Sequence, residues 1–198
     1  MATRQLTRGD VVLDETRQRE RRLRERWLTE RGRAALDAAL TALRTGGDWR
    51  AHLVDLPEVA DTDGRDLRAA PCAGRDLTGV DLSGAELEFA DLSAARLGDA
   101  VLRNASLAHA KLPGADLTGA DASGALLAMA DLTGATVVAA TLRGTAFTGA
   151  DLTGADFSRS DLTGASLFGA TLHGTRFEDA VLDDVRRGGF AAPSTPDS

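Results

Sequence analysis

The sequence has little of what most globular proteins use to build a core or an active site. Its 198 residues include one cysteine, no tyrosine and 4% aromatic residues, and a single lysine accompanies 22 arginines. The lone Cys72 excludes a disulfide scaffold and a zinc site built on several cysteines, and it favours a cytoplasmic location. No apolar run is long enough to span a bilayer, and residues 1–10 lack the apolar segment of a secretory signal. We therefore expect neither membrane insertion nor secretion.

Charge is unevenly distributed along the chain. Residues 1–64 balance 12 basic against 12 acidic side chains, whereas residues 65–185 hold 9 and 17, for a net charge of −8. Residues 186–198 carry a net charge of +1, which brings the whole chain to −7. Because a surface that binds nucleic acid is basic, we expect no direct binding of DNA or RNA.

What the sequence does contain is a five-residue repeat. A large, mostly apolar residue recurs every fifth position from Leu67 to Leu182, through 24 consecutive pentads. A small residue, usually Ala, precedes most of them by two positions. A period of five fits neither an α-helix nor a flat strand. The pattern predicts a chain that turns a corner at every pentad and points one large and one small side chain inward.

Three of the repeats show a resemblance to a known family. The runs Ala-Asp-Leu-Thr-Gly at 115–119, 130–134 and 150–154 resemble the pentapeptide repeat family, A(D/N)LXX. The resemblance covers residues 65–184 and implies a β-solenoid, a right-handed quadrilateral β-helix of about six coils with four pentads each. Charge spacing supports the twenty-residue coil independently, because seven opposite-charge pairs against two like-charge pairs are separated by twenty residues.

The chain divides on this basis into three parts. Residues 1–64 form an N-terminal α-helical segment and coil cap, residues 65–185 form the β-helix, and residues 186–198 form a disordered tail. The sequence predicts helix over 14–45, with Asp14 as the N-cap and a break near Gly32.

Both ends of a solenoid need covering. A short helix that begins at Asp48 is expected to cap the first coil with Trp49, Leu53 and Leu56. At the other end, Val185 and Phe190 are expected to cover the last coil.

Groups suited to catalysis or ligand binding are few. His52, His109 and His173 have no metal-ligand spacing and build no triad. Cys72 falls at an inward position, the glycines form no phosphate-binding loop, and the aspartates are periodic rather than paired. The sequence therefore predicts no enzyme, no cofactor, no metal site and no small-molecule substrate.

One side of the predicted rod carries apolar groups where the other sides carry charges. We call it the Leu87 wall: the outward residues around the inward column that contains Leu87. After Glu86 and Glu88 it has no Asp, Glu, Lys or Arg up to residue 184. Its candidate interface residues are Phe89, His109, Leu126, Met129 and Phe168. Such a patch indicates an interface, covered by the N-terminal helices, by a second copy in a homodimer, or by another protein.

Two functions follow from these features. The first is a non-catalytic protein–protein interaction or scaffold module with an unidentified protein partner. The alternative rests on the resemblance, since some members bind DNA gyrase or topoisomerase IV by imitating duplex DNA in width and charge. The acidity of residues 65–185 fits such a modulator of a type II topoisomerase, but Arg96, Lys111, Arg143 and Arg176 dilute it.

Overall fold

A computed structural model describes residues 8–54, 56 and 65–188, with side chains from residue 15 onward. Helix α1 (Arg8–Leu28) and helix α2 (Glu30–Thr45) are followed by one 3₁₀ turn (Trp49–His52) and then by the repeat region. The predicted cover by Phe190 and nearly all of the predicted disordered tail lie outside the described residues. Within them, no helix is long and apolar enough to cross a membrane.

Residues 65–188 wind in coils of twenty residues. Parallel bridges join residue i to residue i+20 without a gap, from Asp66 with Glu86 to Ser166 with Arg186. This pairing confirms the coil length that the charge spacing predicted. The bridges are isolated single residues rather than continuous strands, because a turn follows every bridge and leaves no room for a second one in the pentad.

The predicted inward residues form the core of the coils. All of them from Leu67 to Leu167 are buried, and alanines fill most of the small positions between them. Phe147 and Phe157 meet edge to face with their ring centroids 5.7 Å apart. The inward residues of the last coil are only half-buried: Leu172, Phe177 and Leu182.

The helical segment differs from its prediction at two points. Helix α1 begins at Arg8, so Asp14 lies inside a helix that is already formed and is not its N-cap. The break between the helices falls at Thr29, whose hydroxyl accepts a hydrogen bond from the Gly32 N–H at 2.9 Å and caps α2. Gly32 lies within α2 and allows a close approach, since a Cβ there would overlap the Arg26 carbonyl oxygen.

Helix α2 and the residues after it lie over the first coil. Trp49, Leu53 and Leu56 are buried, although only Trp49–His52 form a 3₁₀ turn where a short helix was predicted. They share one hydrophobic cluster with the first coil and with residues of α2 that the sequence did not assign to the cap: Leu36, Leu40 and Leu43. An ion pair between Arg75 and Asp37, with N and O 3.0 Å apart, joins α2 to the first coil.

Candidate functional site

The Leu87 wall is continuous along the rod. Its bridges run through seven residues in succession: Asp66, Glu86, Ser106, Leu126, Ala146, Ser166 and Arg186. Charged residues therefore stand at both of its ends, and the middle is free of them. The charged N-terminal end was predicted from the sequence. Arg186 was not assigned to this wall, because it lies beyond the last pentad.

A buried ion cluster fastens α1 to the first coil of this wall. Nη2 of Arg26 lies 2.6 Å from Oδ1 of Asp66, and Nη2 of Arg68 lies 2.6 Å from Oδ2 of the same aspartate. All three residues are buried. Burial alone would raise the pKa of Asp66, but hydrogen bonds from the two arginines outweigh it and hold that pKa well below its ordinary value.

Side chains of α1 also donate hydrogen bonds to the backbone at the edge of the first coil. Further along the wall, the carbonyl of residue i accepts a hydrogen bond from the N–H of residue i−19, as Glu86 does from Leu67 at 2.8 Å. The Arg68 carbonyl in the first coil accepts hydrogen bonds from Trp27 Nε1 and Arg26 Nη2, both at 2.8 Å. A terminal edge of the coil is thus satisfied by two side chains.

Phe89 is one of the candidate interface residues, and it is buried. Only 6% of it is exposed. Helix α1 is anchored on both sides of it, through Arg26 to Asp66 and through Arg19 to Glu88 at 3.1 Å. The sequence left three occupants of the wall open, because the docking of α1 depends on partners forty or more residues away in sequence, which no local pattern reveals.

His109 continues from Phe89 along the wall. The two rings are stacked with centroids 5.1 Å apart and planes within 6° of each other. His109 is exposed, unlike Phe89. Helix α1 therefore covers the start of the wall and leaves this next side chain open to solvent.

Phe89, His109 and Met129 share an unusual backbone conformation. Their φ angles are +60°, +59° and +59°, in the left-handed region. In the described coils of the other three walls this position holds Gly, Ala, Asp, Asn or Arg, never a large apolar or aromatic side chain. Left-handed φ costs such residues roughly 1–2 kcal/mol each, so on this wall the fold holds three residues of successive coils in an unfavourable conformation.

The rest of the wall presents exposed apolar groups. Leu126, Met129 and Phe168 are 52%, 59% and 61% exposed. Met129 lies over Gly149, where a Cβ would come within 2.6 Å of its sulfur, and Phe168 lies over Gly188. These two glycines let the long side chains lie along the surface. The result is a smooth apolar strip rather than separate projections.

The other walls carry most of the charges, and some of these charges form ion pairs. Four arginine–aspartate ion pairs connect successive coils there: Arg96–Asp76, Arg103–Asp121, Arg143–Asp161 and Arg176–Asp156. The second and third join residues eighteen apart, at 2.6 and 3.2 Å. The charge spacing of twenty residues does not include these two pairs. In each of them, the Asp directly precedes an inward residue, whereas the Arg directly follows the inward residue of the neighbouring coil.

The remaining titratable groups serve the fold. Asp116 accepts hydrogen bonds from Thr118 that hold its pKa below the ordinary value, and this arrangement recurs along the repeat. Burial raises the pKa of Cys72 to about 12, which suppresses its thiolate. Across the described residues, no three His, Cys, Asp or Glu side chains are placed to hold a metal ion.

A family model described as pentapeptide repeats matches residues 66–99, 100–137 and 145–184, more than half of the chain, with eight copies. A comparison with curated protein sequences finds no match.

Several solved structures are similar to this chain. One is a pentapeptide repeat protein from the thylakoid lumen of Arabidopsis thaliana, with 37% identity, 50% of this chain and 69% of the other covered, and a TM-score of 0.49. HetL from Nostoc sp. strain PCC 7120 has 30% identity, with 61% and 69% covered and a TM-score of 0.36; it is described as involved in heterocyst differentiation regulation. QnrB1, a plasmid-mediated fluoroquinolone resistance protein, has 20% identity, with 58% and 80% covered and a TM-score of 0.24.

Proposed function

The chain belongs to the pentapeptide repeat family, whose members are right-handed β-helices and generally non-catalytic structural or interaction modules, and from this premise we propose that it is a non-catalytic protein-interaction module. Its binding surface is the Leu87 wall. The helical segment serves to cap the rod and to cover the first part of that wall.

The single observation that carries this proposal is the exposed strip of Leu126, Met129 and Phe168 on the part of the wall that has no charged residue. A large apolar side chain left in water forgoes burial worth about 1.5–3 kcal/mol. Scattered apolar residues are ordinary on protein surfaces, but three of them on one wall of a narrow rod form a patch that favours association.

Each part of the chain has its own role in this module. Residues 1–64 supply the helices and the cap, residues 65–185 supply a rod of about six coils, and residues 186–198 form a tail. The i to i+20 bridges support the coil number. A cytoplasmic location is likewise part of the proposal and rests on the lone, buried Cys72.

A modulator of DNA gyrase or topoisomerase IV is the second candidate. The net charge of −8 over residues 65–185 favours it. The four arginine–aspartate pairs weaken it, because each arginine cancels an acidic group that would have to stand in for a DNA phosphate. We place it second for that reason.

A scan of the walls tests the interaction module. The tagged full-length chain is compared with Leu126→Lys/Met129→Lys, which puts two charges on the exposed strip. The matched control is Thr136→Lys/Ala139→Lys, two exposed residues at the same pentad positions on another wall. We expect a protein that co-purifies from lysate with the wild type and the control to be lost with the first variant. Co-purification that no wall variant changes would contradict the proposal.

A further inference from the structure

We infer that the exposed part of the Leu87 wall binds an amphipathic α-helix of another protein, laid along the wall beyond α1 and carrying basic residues on one edge. This inference rests on the proposed function and specifies the partner's chemistry.

The dimensions of the strip suit a helix. The part of the wall without charge, which includes the strip, extends over four successive coils from Ser106 to Gly169, and at about 4.8 Å per coil this is roughly 19 Å. A helix of about 13 residues has this length. The helical pitch of about 5.4 Å is close to the coil spacing, so successive turns meet successive coils.

A second copy of the chain fits less well. A strip of these dimensions offers roughly 200 Å², whereas a stable interface buries about 800 Å² on each partner. The walls on either side carry charged residues, among them Asp131 and Arg143, so they do not extend the apolar area. A helix needs only the strip itself.

Helix α1 already demonstrates this mode of packing on the same wall. It buries Leu23 and Trp27 and is anchored beside the buried Phe89, through Arg19 to Glu88 at 3.1 Å. The stacked rings of Phe89 and His109 lead from the covered part of the wall to the exposed part. The exposed strip thus continues an interface that a helix occupies at its other end.

Charge along one edge of the strip defines the partner further. The neighbouring wall carries a bridged column in which Asp91 and Lys111 are followed by two stacked carboxylates, Asp131 and Asp151. Neither of these two has an ion-pair partner among the described residues.

Helix α1 already interacts electrostatically with that column. Burial raises the pKa of Asp91, whereas hydrogen bonds from Ser93 and the nearby charges of Lys111 and Arg24 lower it. Arg24 belongs to α1, so a helix that lies on this wall already supplies a positive charge that acts on the first carboxylate of the column. A partner helix with Lys or Arg on the same edge would neutralise Asp131 and Asp151 in the same way.

A displayed library of helix-forming peptides of about 14 residues tests the inference. It is selected on the full-length chain and counter-selected on Leu126→Lys/Met129→Lys. We expect the enriched peptides to share apolar residues at i, i+4 and i+7 with Lys or Arg beside them. A synthetic peptide from this set is then measured by fluorescence anisotropy. Its affinity for Leu126→Lys/Met129→Lys should be at least about tenfold weaker than for the wild type, and its affinity for Asp131→Asn/Asp151→Asn should also be weaker. Its affinity for Thr136→Lys/Ala139→Lys should equal that for the wild type.

Thermal melts followed by circular dichroism establish that each variant is folded before binding is measured. Three results would overturn the inference: enrichment of extended or aperiodic peptides, no peptide that distinguishes the variant, or a wild-type dimer that Leu126→Lys/Met129→Lys converts to a monomer on sedimentation. A lysate partner that depends on a different wall would refute the helix site and leave the interaction module standing. A partner that depends on no wall refutes both.

Discussion

Asp66 connects the helical segment to the rod through charge. Like the aspartates of later pentads, it accepts a hydrogen bond from the N–H two residues on, here Arg68 at 3.0 Å. Unlike them, it is wholly buried and holds the side chains of Arg26 and Arg68 as well. The same residue type at the same repeat position therefore has a different energetic role, because Arg26 of α1 bonds to this aspartate.

Replacing Asp66 with Ala should lower the free energy of unfolding by about 3–5 kcal/mol, since two buried arginines lose their counter-charge. Urea denaturation followed by circular dichroism measures this loss. Asp151→Ala is the matched control: it removes the same repeat residue at an exposed site and should cost much less. Equal losses in the two variants would show that the ion cluster contributes nothing special.

The lowered pKa of Asp66 should make part of the stability depend on pH. The unfolded carboxyl takes up its proton near pH 3.9, before the folded one does. The contribution of Asp66 is therefore complete above the unfolded pKa and is lost as the pH falls through the lower folded pKa. Unfolding free energies measured from pH 6 to pH 2 should fall less steeply in Asp66→Asn than in the wild type, and parallel curves would contradict this assignment.

The junction of α1 and α2 depends on contact rather than on helix propensity. Thr29 caps α2, and Gly32 faces the Arg26 carbonyl so closely that no side chain fits. The next residue, Arg33, donates from its backbone to the Thr29 carbonyl at 3.0 Å, which closes the first turn of α2. This junction brings Arg26 and Trp27 over the first coil.

Gly32→Ala should destabilise the protein, although Gly to Ala inside a helix ordinarily stabilises it by about 1 kcal/mol. The new Cβ would collide with the Arg26 carbonyl oxygen and displace the end of α1. Thermal melting measures the change. Ala34→Gly, at an exposed position of the same helix, is the control and should show only the ordinary propensity loss. A higher melting temperature for Gly32→Ala would disprove the close contact.

The two ends of the β-helix are covered to different degrees. Side chains from α1 and α2 cover the first coil, whereas the inward residues of the last coil are half-buried. In the described part of the chain, the N–H groups of Leu172, Phe177 and Leu182 have no backbone partner.

Amide hydrogen exchange should show this asymmetry directly. We expect Leu77 and Leu97, whose N–H groups donate to the next coil, to exchange slowly, and Leu172, Phe177 and Leu182 to exchange fast. Strong protection of the last coil would mean that a further element covers it, as the sequence predicted for Phe190.

At the scale of the whole molecule, charge and apolar surface are separated. Most of the acidic groups lie on three walls, the four inter-coil ion pairs lie on two of these, and the exposed apolar strip lies on the fourth wall. The rod therefore presents two kinds of surface. On the Leu87 wall, three large apolar side chains are exposed and would gain from burial.

Because four arginines form ion pairs with aspartates between coils, the protein should not act on gyrase as a DNA mimic. We expect no inhibition of supercoiling and no protection from quinolones at sub-micromolar protein. Inhibition in this range that disappears when Asp116, Asp121 and Asp131 are neutralised would instead support the topoisomerase reading.

Most of the rod could be predicted from the sequence, because the pentad repeat specifies it locally. A large residue at every fifth position from Leu67 onward, with a small one before it, leaves one way to bury both. The charge spacing then predicted the coil length, because residues that are bridged between coils lie side by side and opposite charges attract there. The exposure of Leu126, Met129 and Phe168 followed from the same register.

The tertiary structure alone decided which part of the Leu87 wall is free. The sequence left three occupants open, and α1 proved to cover Phe89 while leaving Met129 exposed. That outcome depends on Arg26 meeting Asp66 across forty residues. A repeat pattern determines neighbours within a coil and between coils, but a helix outside the repeat docks by buried charge and shape, and these arise only when both surfaces have formed.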